Sequence, residues 1–92
     1  MPDIRQLRRN PAIEEAPLQE EMMLFDAVKS KFFVLNPAMA LTWTWCDGTH
    51  SVAEISEELA SRFGGVTPDE ARGDVERAVA ELYELGLLLD VR

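Results

Sequence analysis

Three consecutive helix-start signals constrain this chain more than any other feature of its sequence. Asn36-Pro37 joins a strong N-cap residue to a proline in the first helical position. Residues 51–54 (Ser-Val-Ala-Glu) and 67–70 (Thr-Pro-Asp-Glu) are capping boxes, in which the hydroxyl and the carboxylate each accept a hydrogen bond from the other residue's backbone N–H. These signals predict three helices, over residues 37–46, 51–63 and 69–85, and leave the residues before them for a sheet.

The residues before the first helix are typical of an antiparallel sheet. Lys31–Leu35 is dense in aromatic and β-branched residues, and residues 22–28 are a second strand candidate. The two-residue connection Lys29-Ser30 between them predicts a hairpin. Residues 12–16 fit a short edge strand, and the apolar tail 87–91 either packs on the core or adds a strand. Strands followed by helices predict an α+β fold.

The strand Lys31–Leu35 is apolar on both faces. Phe32 and Val34 point to one side, and Phe33 and Leu35 point to the other. A chain of 92 residues buries only about 60–65% of its unfolded surface, so one of these faces must meet something beyond the core or be covered by a helix. Such a strand beside a helix groove predicts a docking site for an extended peptide, which would pair with the strand.

Charge and composition exclude several classes of protein. The net charge is −8, and residues 47–92 hold eleven acidic and four basic side chains, which disfavours nucleic acid and anionic membranes as partners. No apolar run approaches the roughly 20 residues of a membrane span, and the start lacks the apolar region of a signal peptide. One cysteine and one histidine exclude an internal disulfide and structural zinc. We therefore expect a cytoplasmic protein with no metal and no cofactor.

No set of residues in the sequence predicts catalysis. Cys46 and His50 are separated by Asp47-Gly48, which ends the helix that would align them as a nucleophile and a base. Neighbouring glutamates such as Glu57-Glu58 point apart, as neighbours on a helix do. The sequence therefore predicts that the protein is not an enzyme.

Short motifs follow one another in a fixed order along the chain. They are Phe33-Val34-Leu35-Asn36, Ala40, Trp43, Asp47-Gly48, Ser51, Glu54-Ile55, Leu59, Asp74-Val75, Leu82 and Gly86-Leu87-Leu88. This ordered set resembles the PqqD-like proteins over about residues 10–90 and departs from their usual pattern at Thr42 and at Trp45-Cys46.

The resemblance implies a RiPP recognition element, which is a winged-helix-like domain with a three-stranded antiparallel sheet followed by three helices. Such a peptide chaperone binds the leader segment of a ribosomally synthesised precursor peptide by strand addition and delivers it to a modifying enzyme. That enzyme is a radical SAM protein or a leader peptidase. The domain would occupy residues 11–92, with residues 1–10 as an N-terminal arm.

In the family the leader pairs with the third strand and lies against the third helix, which correspond here to Lys31–Leu35 and residues 69–85. Helical periodicity assigns Ala71, Val75, Ala78, Leu82 and Leu85 to the core stripe of that helix. Val79 and Tyr83 then lie to one side, with Asp74 and Glu81 on the opposite flank. The residues expected to bind the peptide are Lys31, Phe32, Phe33, Val34, Leu35, Arg72, Val75, Glu76, Val79 and Tyr83.

Two other functions remain open from the sequence. A winged-helix nucleic-acid-binding protein would need a basic recognition helix, whereas helix 51–63 holds three glutamates and one arginine. A structural subunit of a larger enzyme would need no binding chemistry of its own.

Overall fold

This computed structural model describes residues 4–90. Within them, a three-stranded antiparallel sheet precedes three helices, and a two-stranded antiparallel sheet joins the first strand to the last. After a short 3₁₀ turn at Ile4–Gln6, the elements follow in chain order. They are β1 (Leu7–Arg9), β2 (Ile13–Leu18), β3 (Glu21–Asp26), β4 (Lys31–Leu35), α1 (Pro37–Trp45), α2 (Val52–Arg62), α3 (Pro68–Glu84) and β5 (Leu88–Asp90).

The main sheet has the strand order β2-β3-β4, with both pairs antiparallel. Leu24 in the central strand lies opposite Phe33 of β4, and both β2 and β4 are edge strands within residues 4–90. Pro17 is tolerated in β2 because an edge strand has N–H groups that need no partner in the sheet. The α+β prediction, with a three-stranded antiparallel sheet followed by three helices, is confirmed.

The hairpin between β3 and β4 differs from the two-residue turn that the sequence predicted. Four residues, 27–30, connect the strands, and Oδ1 of Asp26 accepts hydrogen bonds from the N–H groups of Val28 and Lys29, both at 3.1 Å. Ser30 takes a left-handed conformation with φ 54°. The buried Asp26 carboxylate satisfies the backbone N–H groups of the turn. The two strands therefore separate at an earlier residue than the apolar pattern indicated.

All three helices begin where their caps predicted. Oδ1 of Asn36 accepts the N–H of Met39 at 2.8 Å, and both capping boxes, at residues 51–54 and 67–70, are formed. Gly86, with φ 77°, follows the end of α3 and allows the chain to reverse into β5. These local signals were sufficient because each cap depends only on residues three positions apart.

Helix α1 lies at the centre of the fold and contacts α2, α3, β3 and β4. Trp43 is fully buried, together with Leu24 of the sheet, Ile55 of α2 and Leu82 of α3. Helix α1 is therefore a central element of the core. Trp45 is half-buried, and its ring centroid lies 4.3 Å from that of His50.

The N-terminal residues require a correction. Residues 1–10 were expected to form an arm, but Ile4 and Leu7 are buried and β1 pairs with β5, with Leu7 opposite Asp90. The Asn10 side-chain amide also donates to the Gly86 carbonyl at 3.0 Å. Residues 4–10 are therefore part of the domain, and the tail adds a strand at Leu88–Asp90. The predicted arm and tail also include residues 1–3 and 91, which lie outside the described residues.

We expect Leu7→Ala to lower the free energy of unfolding by about 2–4 kcal/mol, because it removes a buried side chain and leaves a cavity. Urea denaturation followed by circular dichroism measures this change. Val28→Ala is the control, since Val28 is 84% exposed and should change stability little. Equal midpoints for the two variants would contradict a core role for β1.

Candidate functional site

Strand β4 has an apolar edge that is open in the described part of the chain. It pairs with β3 alone, so the N–H and C=O groups on its other edge have no strand partner within residues 4–90. Leu35 is buried and Phe33 half-buried, whereas Phe32 is 66% and Val34 61% exposed. The expectation of two apolar faces is confirmed, and such an edge is suited to pairing with another chain.

The outer face of the sheet continues this apolar surface. The ring centroids of Phe25 and Phe32 lie 4.5 Å apart on neighbouring strands, and Met23 lies opposite Val34. Cross-strand pairs of this kind stabilise an edge strand without covering it. Strand β4 is therefore held in an extended conformation before any partner arrives.

A cavity of about 320 Å³ lies where β4 ends. Asn36, which follows β4, forms part of its wall. Four of the nine lining residues are apolar, and the hydroxyl of Thr42 is already bonded to the Ala38 carbonyl at 2.9 Å. The other lining residues are Ala38, Met39 and Thr42 of α1, Leu59 of α2, and Asp74, Arg77, Ala78 and Glu81 of α3. The cavity can thus receive an apolar side chain from a peptide that approaches β4.

The α3 side of the cavity carries three charged groups. Arg77 and Asp74 form an ion pair with each other. Glu81 is exposed and makes no ion pair among residues 4–90. The wall formed by α3 therefore has one uncompensated negative charge.

Two residues expected in the groove instead belong to the core. Val79 is 1% exposed, and Val75 is fully buried as the core stripe required. The prediction that Val79 lies beside the core is wrong, because α3 packs against α1, α2 and β5 and so buries more than a single stripe. Neither side chain offers surface to a peptide.

The remaining helix residues of the predicted site do not line the cavity beside β4. Arg72 and Glu76 are exposed elsewhere on α3. The Tyr83 hydroxyl donates to Oδ2 of Asp90 at 2.9 Å, and this hydrogen bond raises the pKa of Tyr83. Asp74 and Glu81, on the opposite flank, line the cavity together with Asn36, the residue that follows β4. The sequence carried one signal for this flank: the small residue Ala78 lies between Asp74 and Glu81 on the same face of the helix.

The polar residues between α1 and α2 form a turn rather than a reactive pair. Burial raises the pKa of Cys46 to about 12, so its thiol is protonated near neutral pH. Hydrogen bonds from Thr49 to the Asp47 carboxylate lower the pKa of Asp47 to about 2. His50 lies 3.1 Å from the same carboxylate through Nδ1. The turn therefore positions the start of α2.

No group of three or more His, Cys, Asp or Glu side chains in residues 4–90 is placed to hold a metal ion. None of the helices in the described part of the chain is long and apolar enough to cross a bilayer.

Comparison with known proteins adds one family and two structures. The family model described as Coenzyme PQQ synthesis protein D (PqqD) matches residues 21–88. The structure of lasso peptide synthetase B1 complexed with the leader peptide is 28% identical, has a TM-score of 0.78, and aligns over 91% of this chain and 98% of that chain. TbiB1 in complex with the TbiA(beta) leader peptide shares the fold, with 17% identity, a TM-score of 0.75, and coverage of 88% and 93%. Among curated proteins, the search found no match.

We expect Val79→Asp to unfold the domain, because it places a carboxylate among core side chains with no partner, at a cost of about 3 kcal/mol or more. Thermal denaturation by circular dichroism measures the loss. Glu76→Asp, an exposed change on the same helix, should melt close to the parent. A folded Val79→Asp variant with a parental melting temperature would restore Val79 to the surface.

Proposed function

The chain belongs to the PqqD family, and from this membership we propose that it binds the leader segment of a ribosomally synthesised precursor peptide. The observation that carries the proposal is the open edge of β4, which leads into a cavity lined by apolar and charged side chains. Lasso peptide synthetase B1, which is 28% identical, was solved as a complex with the leader peptide. TbiB1, which shares the fold, was also solved with a leader peptide.

In the proposed mode of binding, the leader adds as a strand to the free edge of β4. Backbone hydrogen bonds to β4 supply affinity that does not depend on the leader's sequence. Alternate leader side chains point to opposite sides. One set faces the cavity and α3, and the other set lies beside the exposed side chains of Phe32 and Val34. Selectivity then comes from those two sets of side chains.

The proposed contact residues keep the predicted strand and change the helix face. Lys31, Phe32, Phe33, Val34 and Leu35 remain in the site as the edge strand. On α3, we replace the predicted set with the four residues that line the cavity, which are Asp74, Arg77, Ala78 and Glu81. Val75 and Val79 support this wall from inside the core.

We further propose that the protein presents the bound precursor to a separate modifying enzyme, such as a radical SAM protein or a leader peptidase, and performs no chemistry itself. The protonated, buried thiol of Cys46 is a poor nucleophile, which supports this role. A ribosomal precursor is made in the cytoplasm, so we place the encounter there. Nucleic acid is a poor alternative ligand, because on α2 the one basic residue, Arg62, is already paired with Glu58.

Hydrogen exchange tests strand addition directly. A bound leader should slow exchange of backbone amides within residues 31–36, because the free edge of β4 gains hydrogen-bond partners. The amides of Val52–Arg62 should change little, and they serve as the internal control. Protection concentrated in α2, with β4 unchanged, would show that the peptide binds in another way.

Mass spectrometry tests the division of labour. The purified protein, incubated alone with a precursor peptide, should leave the peptide mass unchanged, with or without added divalent metals. The described residues form no metal-binding cluster, and the buried thiol of Cys46 is protonated. The same incubation with the partner enzyme added is the positive control. A modified or cleaved peptide in the first incubation would mean that the protein is itself a catalyst.

A further inference from the structure

We propose that Glu81 selects leaders in which a lysine or arginine lies two positions from the apolar residue that fills the cavity. This inference rests on the proposed function, since it assumes a peptide on the edge of β4. It adds a chemical class of ligand, namely an extended peptide with an apolar and a basic side chain on the same face.

The charges around the cavity determine the sign of the preference. The charge of Asp74 is compensated by Arg77, with which it is paired. Glu81 lines the same cavity and makes no ion pair among the described residues. The wall thus carries a net charge of −1, within a chain of net charge −8. A basic side chain is attracted to this point, whereas an acidic one is repelled.

The geometry of α3 determines the spacing. Ala78 and Glu81 both line the cavity and are separated by about 4.5 Å along the helix axis, at about 1.5 Å per residue. In an extended peptide, side chains on one face recur about every 6.6 Å. A peptide residue opposite Ala78 enters the cavity. The next side chain on the same face of the peptide lies far enough along to cover the distance from Ala78 to Glu81, so it is the first that reaches the Glu81 carboxylate.

Lys31 makes the site asymmetric. It lies at the start of β4, opposite Asp26 of β3, whereas Asn36, which follows β4, lines the cavity together with Glu81. Five residues of extended chain separate Lys31 from Asn36, a distance of about 16 Å. The positive and negative ends of the site are therefore far enough apart to act on different leader residues. A peptide with its basic residue near Lys31 would meet repulsion.

A selection experiment tests the inference without knowledge of the natural leader. The probe is a displayed library of random dodecapeptides, selected on the full chain as parent, on Glu81→Lys and on Glu76→Lys. Glu76 is the matched control because it is an exposed glutamate on α3 that does not line the cavity. Parent selections should enrich an apolar residue and a lysine or arginine two positions apart. Peptides selected on Glu81→Lys should carry an acidic residue in place of the basic one. Peptides selected on Glu76→Lys should show the same pattern as those selected on the parent.

Affinities then measure the strength of the preference. For a peptide selected on the parent, Glu81→Gln should weaken binding about threefold to fivefold at low salt, with a smaller loss at high salt. Glu76→Gln should bind like the parent, and circular dichroism should show that both variants are folded.

The outcomes separate this inference from the proposed function. Selected peptides that protect β4 from hydrogen exchange but lack the basic position would overturn the role of Glu81 and leave peptide binding intact. The role of Glu81 would also be overturned if Glu76→Lys, rather than Glu81→Lys, reversed the charge preference. Failure to select any peptide that protects β4 would overturn both proposals.

Discussion

The burial of α1 between the sheet and the other two helices is the interaction on which the rest of the structure depends. Strands pair within the sheet and α2 packs on α3, but α1 contacts both groups. Trp43 is fully buried at this junction, and its indole N–H has no hydrogen-bond partner among the described residues. One of the two tryptophans of the chain thus fills the junction between the two layers, where its large apolar surface contributes most to packing.

The short connection between β4 and α1 places the cavity next to the end of the strand. Only Asn36 separates the last residue of β4 from the first residue of α1. With a one-residue connection, the chain passes directly from the strand into the helix, and within residues 4–90 only β3 pairs with β4. Helix α3 instead faces the end of β4 across the cavity, and the small side chain of Ala78 leaves the space unfilled. The open strand and the cavity are therefore neighbours because the connection is short.

Features that depend on neighbouring residues could be predicted from the sequence, whereas those that depend on distant residues could not. The caps at Asn36 and at residues 51–54 and 67–70 involve side chains within a few positions of their partners, so their patterns are sufficient. The pairing of β1 with β5 joins residues about 80 positions apart. Three arginines near the start make the segment around Leu7 look polar in sequence, although Leu7 is buried. No local pattern contains that pairing.

In the candidate site, the strand could likewise be predicted from local sequence, whereas the face of α3 could not. Strand β4 was evident from the two apolar faces of Lys31–Leu35. The face of α3 was assigned wrongly because helical periodicity gives the centre of a buried stripe and not its width. Val79 is covered only because β5 and two other helices all meet α3. Which flank of a helix stays open depends on how many elements surround it, and that number is a property of the whole fold.

The antiparallel pairing of β1 with β5 has a consequence for protein architecture. Because Leu7 lies opposite Asp90, the chain enters and leaves the domain at neighbouring points. A domain with adjacent ends can be inserted into a loop of a larger polypeptide with little distortion of its host. The same fold is thus suited to exist as a separate protein or as a module embedded within a longer chain.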